Sequence, residues 1–89
     1  MKGINRVFLM GRLGHDPESR LSKNGKTFVR VSLATHYRKK RDDGEVLETT
    51  EWHRIVAFGK TAEHIRAHLH KGDAFAVEGY LSQSRYTLD

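Results

Sequence analysis

Thr49-Thr50-Glu51-Trp52-His53-Arg54-Ile55-Val56-Ala57-Phe58-Gly59-Lys60 is the stretch on which the reading of this chain turns. Read as a β-strand, its side chains alternate between two faces with period 2. Trp52, Arg54, Val56 and Phe58 then share one face, and His53, Ile55 and Ala57 share the other. The second face is small and apolar with one histidine, which suits an interior or a subunit contact. The first carries two aromatics flanking a guanidinium. Six residues at about 3.3 Å each put Trp52 and Phe58 roughly 20 Å apart, too far to touch each other. An aromatic–cation–aromatic row of this kind is a platform on which the bases of an unpaired nucleic-acid strand stack, with Arg54 reaching a phosphate. Taken alone, the row is equally a core strand that buries its tryptophan and phenylalanine, since aromatics are common in strands.

Before this stretch, His36-Tyr37-Arg38-Lys39-Lys40-Arg41 concentrates the basic charge and runs into Asp42-Asp43-Gly44-Glu45. Aspartates followed by glycine mark the tip of a long hairpin. Four consecutive cations beside a tyrosine make a phosphate-tracking arm with a stacking side chain. A solvated loop whose charges only maintain solubility is the competing reading. Further upstream, Val29, Val31 and Leu33 alternate with Arg30, Ser32 and Ala34, so a strand is expected with Phe28 on its outward parity. A second basic and aromatic row beside the central one is one outcome; a loop covering Phe28 is the other. Asn24-Gly25 reads as a tight hairpin turn leading into that strand. Ile4–Leu13 has few polar positions and reads as a strand buried on much of both sides, and Gly14-His15-Asp16-Pro17 as a turn.

After the central stretch, Thr61–His70 is the one expected helix. Thr61 suits the N-cap, Glu63 the first turn, and Ala62, Ile65 and Leu69 form an apolar stripe. Gly72 is expected to stop it. His64 and His68 stand at i and i+4, a spacing that binds metals. No acidic third ligand and no cysteine accompany them, so a solvated helical face is the reading and no metal or cofactor is expected. Asp73–Leu81 reads as a last strand with Phe75, Val77 and Leu81 on one face and a bulge or bend at Gly79. Arg85 and Tyr86 are the candidate contact residues of the polar segment that follows.

Composition limits the options. The chain of 89 residues makes one small domain, 1–89, with 37% apolar residues, enough for a core but not a generous one. An oligomer burying more surface is therefore expected. Lys plus Arg outnumber Asp plus Glu by 16 to 11, giving a formal charge of +5 that favours a polyanionic partner. With no cysteine, neither a disulfide framework nor a thiolate metal site is available. No apolar run approaches membrane-spanning length and Met1-Lys2-Gly3 does not open a signal peptide, so a soluble cytoplasmic protein without a membrane partner is expected. A metal-dependent nuclease needs clustered carboxylates, whereas Asp42, Asp43 and Glu45 read as turn residues; no enzymatic activity is expected.

Three strands, a short helix and another strand fit several small all-β or α+β folds. The motifs narrow the choice. Asn5-Arg6-Val7 through Gly11, Leu13-Gly14-His15-Asp16-Pro17-Glu18, Val31-Ser32-Leu33-Ala34-Thr35, Thr50-Glu51-Trp52-His53-Arg54, Phe58-Gly59-Lys60 with Ala62-Glu63, and Leu69-His70-Lys71-Gly72 to Val77-Glu78-Gly79 stand in order. Together they resemble the bacterial single-stranded-DNA-binding protein family in order and nearly in spacing, over essentially all of Asn5–Gly79. The resemblance implies an all-β fold with one short helix: the oligonucleotide-binding Greek-key barrel, with its helix between the third and fourth barrel strands.

It further implies a homotetramer, with a dimer as the alternative, that binds single-stranded DNA with little sequence preference in replication, recombination and repair, close to the nucleoid. Trp52 and Phe58 match family stacking residues and Arg54 a phosphate contact. Arg20, Lys60 and Lys71 fall at basic positions similar to those relatives use, beside the arm's Arg38, Lys39 and Lys40. His53 matches a subunit-contact position. The family's typical hairpin tryptophan falls at Lys39, and Tyr37, of the same parity, is its expected substitute. Relatives continue past the position of Asp89 through a hairpin and a fifth strand, so the fifth strand is expected to be missing or incomplete, leaving an edge that oligomerisation covers. Tyr86 aligns either with a stacking aromatic before that hairpin or, with Arg85 and Thr87, with the start of the fifth strand. The family's acidic tail is not matched, so tail-mediated partner recruitment is not carried over. The alternative function is a protein-interaction or replication-initiation module on the same fold.

Overall fold

The computed structural model describes residues 1–82. Five strands and one helix follow in the order β1 (Val7–Leu13), β2 (Glu18–Leu21), β3 (Thr27–Lys40), β4 (Val46–Phe58), α1 (Gly59–His68) and β5 (Ala74–Gly79). All pair antiparallel in one open sheet of order β2-β3-β1-β5, with β4 added on β3. The spine is β3. Along one edge β4 pairs with it from Phe28↔Phe58 to Lys40↔Val46. On its other edge β2 covers the start (Leu21↔Thr27 to Glu18↔Arg30), and β1 meets the middle (Leu13↔Leu33, Arg12↔Ala34).

The core lies on one side of this sheet. Val29, Val31 and Leu33 of β3, Leu13 of β1 and Ala57 of β4 are buried there, closed over by Ala62 and Ile65 of α1. Leu9, Ile55, Leu69, Phe75 and Val77 pack around them, half-buried. Period-2 alternation thus sends one set of side chains of β3 and β4 into the interior and leaves the other facing outward.

Several sequence expectations need correction. The first strand starts at Val7, and only one of its faces is covered: Phe8 and Met10 are each 69% exposed and Ile4 is 92% exposed. Among the described residues, none forms a second layer over that side. Ala34, on the outward parity, is nevertheless buried, because its methyl group lies between Arg12 and Trp52 in the ladder. The polar segment before Asn24-Gly25 contains a strand of its own, β2, since a hairpin turn needs two arms. Gly25 takes φ 79°, with Ser22 N–H donating to Lys26 O at 2.8 Å.

The helix begins at Gly59, two residues before the expected cap. Phe58 is the N-cap without a side-chain bond, Thr61 lies inside the first turn, and no acidic residue does. Gly59 at φ 61° turns the chain directly from β4 into α1, which leaves no room for a separate capping loop. The helix ends at His68, capped by Leu69, whose N–H donates to Ile65 O; Gly72 (φ 89°) belongs to the next turn. Finally, β5 stops at Gly79 without a bulge, in unbroken register from Arg12↔Ala74 to Val7↔Gly79. Leu81 is exposed. The Asn5 side chain takes over the pairing there, donating to Leu81 O at 2.8 Å and accepting from its N–H at 3.0 Å. The expected missing strand, Arg85 and Tyr86 lie outside the described residues.

Candidate nucleic-acid interface

The outward face of β3 and β4 is built from rungs. Phe58 stands opposite Phe28, which on its other side stands opposite Arg20 of β2. Next come Val56, Arg30 and Glu18, then Arg54 with Ser32, then Trp52 with Ala34 and Arg12 of β1. Residues paired directly across a ladder share a face, so one surface collects two phenylalanines at one end, tryptophan at the other and a guanidinium between. Trp52 is 61% and Phe58 58% exposed. The core-strand reading of this row is thereby excluded: its apolar partners are Ile55 and Ala57, on the opposite parity.

Charge on the surface is unevenly free. Glu18 binds both Arg20 (3.1 Å) and Arg30 (3.3 Å). These two hydrogen bonds, from Arg20 first and then Arg30, hold its carboxyl below the ordinary carboxylate value, against a smaller opposing effect of desolvation. Arg54 enters no ion pair with a described residue. Lys60 lies in the first turn of α1, beside the Phe58 end. Lys71, in the turn before β5, is tied by its backbone N–H to Asp16 Oδ1 at 2.8 Å, next to the loop that carries Gly14.

The hairpin arm is closed by Arg41 N–H donating to Glu45 O at 2.7 Å and by Gly44 at φ 89°. Its cations divide by parity. Arg38 and Lys40, opposite Glu48 and Val46, continue the Trp52 face. Tyr37 and Lys39, opposite Thr49 and Leu47, lie on the reverse face, the parity that turns inward farther down as Leu33 and His53. Tyr37 is 48% exposed, so it is accessible but not in line with Trp52. The Arg38–Glu48 pair, at 3.8 Å between exposed groups, is weak. His53 is half-buried and shares a 2.9 Å hydrogen bond with the Thr35 hydroxyl.

Sequence reading left two arginines and a histidine of this face out of the site. Arg12 completes the Trp52 rung, and Arg30 and the His15 imidazole, 3.2 Å from the hydroxyl of Ser32, the residue opposite Arg54 in the ladder, lie between the aromatic ends. Parity had already placed Arg30 outward. Nothing local could place Arg12 or His15, since that takes a register between strands and the path of a loop. Among the described residues, no group of three or more His, Cys, Asp or Glu could hold a metal ion, and no helix is long and apolar enough to cross a membrane.

Known proteins resemble this chain in sequence and in fold. The chain is 46% identical over 86 residues to a single-stranded DNA-binding protein of Xanthomonas axonopodis pv. citri, covering 97% of this chain and 48% of that protein. It is 41% identical to the Xylella fastidiosa protein of the same name, covering 97% and 52%. It therefore spans about half the length of these curated relatives. Among solved structures, a Plasmodium falciparum SSB complex with ssDNA superimposes with TM-score 0.87 at 29% identity, covering all of this chain and 79% of the other. A deletion mutant of the Thermus aquaticus single-stranded DNA binding protein does so with TM-score 0.84 at 31% identity, covering 98% and 42%. The fold is thus the oligonucleotide-binding one. The family model described as "Single-strand binding protein family" matches residues 4–89, and the chain belongs to that family.

Proposed function

We propose that the chain binds single-stranded DNA without catalysis and with little sequence preference. Bases stack on Trp52 and Phe58, and Arg54 takes the phosphate between them. The observation that carries this is the open rung geometry: two exposed aromatic ends on one face, with a guanidinium in the middle that forms no ion pair among the described residues. Arg20, Arg38, Lys40, Lys60 and Lys71 extend the phosphate path, and Tyr37 with Lys39 joins it where the strand passes round the arm. Tyr86 is proposed as a further stacking residue. Duplex DNA binds poorly because its bases are already stacked on each other. The role is protection of unpaired DNA during replication, recombination and repair, in the cytoplasm at the nucleoid. Phe8 and Met10, apolar and exposed on β1, support assembly of copies, as a homotetramer or a dimer, with His53 at a subunit contact.

The test is a salt series of titrations with single- and double-stranded oligonucleotides. Trp52 is the sole tryptophan, so its fluorescence reports this face alone. Quenching by oligo-dT that weakens steeply with salt, with little response to duplex, is expected. Binding of oligo-dT with unchanged emission removes Trp52 from the stacking role; absence of binding overturns the reading.

A further inference from the structure

Trp52 does not stand free on its strand. A Cβ added at Gly14 would lie 2.4 Å from Cζ3 and 2.8 Å from Cη2 of the indole, closer than atoms can approach. The benzo half of the ring therefore rests against the Gly14 backbone while the side chain stays 61% exposed. We propose that Gly14 is a positioning residue for Trp52: its missing side chain provides a flat floor that holds the indole in its stacking orientation before a base arrives. The proposal rests on the single-strand reading above.

The floor is held from two sides. Gly14 N–H donates to Ser32 O of β3 at 2.9 Å, and the His15 imidazole bonds the Ser32 hydroxyl. From the other side, Gly72 N–H donates to Leu13 O at 2.8 Å, Leu13 N–H to Asp73 O at 3.0 Å, and Lys71 N–H to Asp16 Oδ1 at 2.8 Å. A loop anchored in this way cannot retreat, so a methyl group at position 14 displaces the ring. Gly14 is not among the glycines with positive φ, so alanine meets no backbone strain there. The far end of a surface side chain moves at little cost, so the fold survives and the consequence falls on ring orientation. Gly11 differs: its added Cβ would meet the backbone carbonyl oxygen of Ala34 at 2.1 Å, which cannot swing aside.

A pre-held ring loses less freedom on binding than a loose one. Gly14→Ala should therefore weaken oligo-dT binding by roughly two- to ten-fold, while Trp52 emission shifts and acrylamide quenching in the free protein rises. The decisive measurement is a double-mutant cycle read by anisotropy of labelled oligo-dT. Gly14→Ala should cost affinity in the parent and almost none in Trp52→Ala. Equal losses in both backgrounds, or unchanged emission and quenching, overturn the proposal. If the parent fails to bind oligo-dT, the single-strand reading falls, while emission and quenching still decide whether Gly14 holds the ring. Should Gly14→Ala alone unfold, a folded Gly14→Ala/Trp52→Ala variant assigns the clash to the indole and supports the contact; an unfolded one overturns it.

Discussion

The rings of Phe28 and Phe58 meet across the β3–β4 ladder with centroids 5.9 Å apart and planes tilted by 41°. Phe28 is half-buried and Phe58 is 58% exposed, so one ring backs the other. In the proposed binding mode a nucleobase at this end of the face would meet Phe58 first, with Phe28 packed behind it.

Removal of the outer ring should then cost more than removal of its support. Stacking contributes about 1–3 kcal/mol per base, a general range drawn in part from this same family. Phe58→Ala is expected to weaken oligo-dT binding by about ten-fold or more, and Phe28→Ala by less. The double variant should lose less than the sum, because the supporting ring has nothing left to support. Anisotropy titration of labelled oligo-dT with all three variants checks this; strictly additive losses would separate the two rings.

Glu18 restrains two cations of the same face. Its carboxyl is held below its ordinary value of 4.5 in the folded chain by hydrogen bonds from Arg20 and Arg30. Its contribution to stability is therefore fully present above that ordinary value and is lost as pH falls through the lowered, folded one. Glu18→Gln should melt slightly below the parent at neutral pH, and the two should converge in acid. The same change frees Arg20 and Arg30, so at neutral pH it should tighten oligo-dT binding and steepen its salt dependence. Melting curves against pH and titrations against salt test the two halves separately.

Gly11→Ala should damage the fold where Gly14→Ala spares it. The added carbon at position 11 meets backbone, and overpacking of this kind costs about 1–3 kcal/mol or more. In a domain of this size each kcal/mol lowers the melting temperature by roughly 4–8 °C. Thermal melts of both variants are the check, with a loss confined to Gly11→Ala.

The split of the arm tests how far the nucleic acid wraps. Each phosphate contact on single-stranded DNA contributes about 0.7 to the slope of log K against log salt. Arg38→Ala and Lys40→Ala, on the Trp52 side, should each lower the slope. If the strand passes round the arm, Lys39→Ala lowers it as well and Tyr37→Ala weakens binding. If those two variants bind like the parent, the path stays on one face and Tyr37 and Lys39 leave the site.

Much of the architecture was legible because period-2 alternation is a local property. Trp52, Arg54 and Phe58 were put on one face, and His53, Ile55 and Ala57 on the other, from their spacing alone; the strand forms with that parity, and the structure decides that the first face is the open one. The Asn24-Gly25 and Asp43-Gly44 turns were legible for the same reason, since glycine supplies the positive φ each one uses. The helix start was misread because Thr61 is a good cap in isolation, while Gly59 turns the chain earlier. The first strand was misread because hydrophobicity does not reveal whether a second layer exists to cover Phe8 and Met10.

The sequence by itself determined which side chains each strand presents together, where the chain reverses, and, through its ordered motifs, the family to which it belongs. Tertiary structure decided everything that depends on one strand lying beside another. It put Arg20, Phe28 and Phe58 on one rung, Arg12, Ala34 and Trp52 on another, Tyr37 behind the arm, and Gly14 beneath the indole. The physical reason is that alternation repeats within two residues, whereas register and loop path are fixed by contacts between residues distant in the sequence, such as Phe28 with Phe58 or Gly14 with Trp52, about which no local pattern carries information.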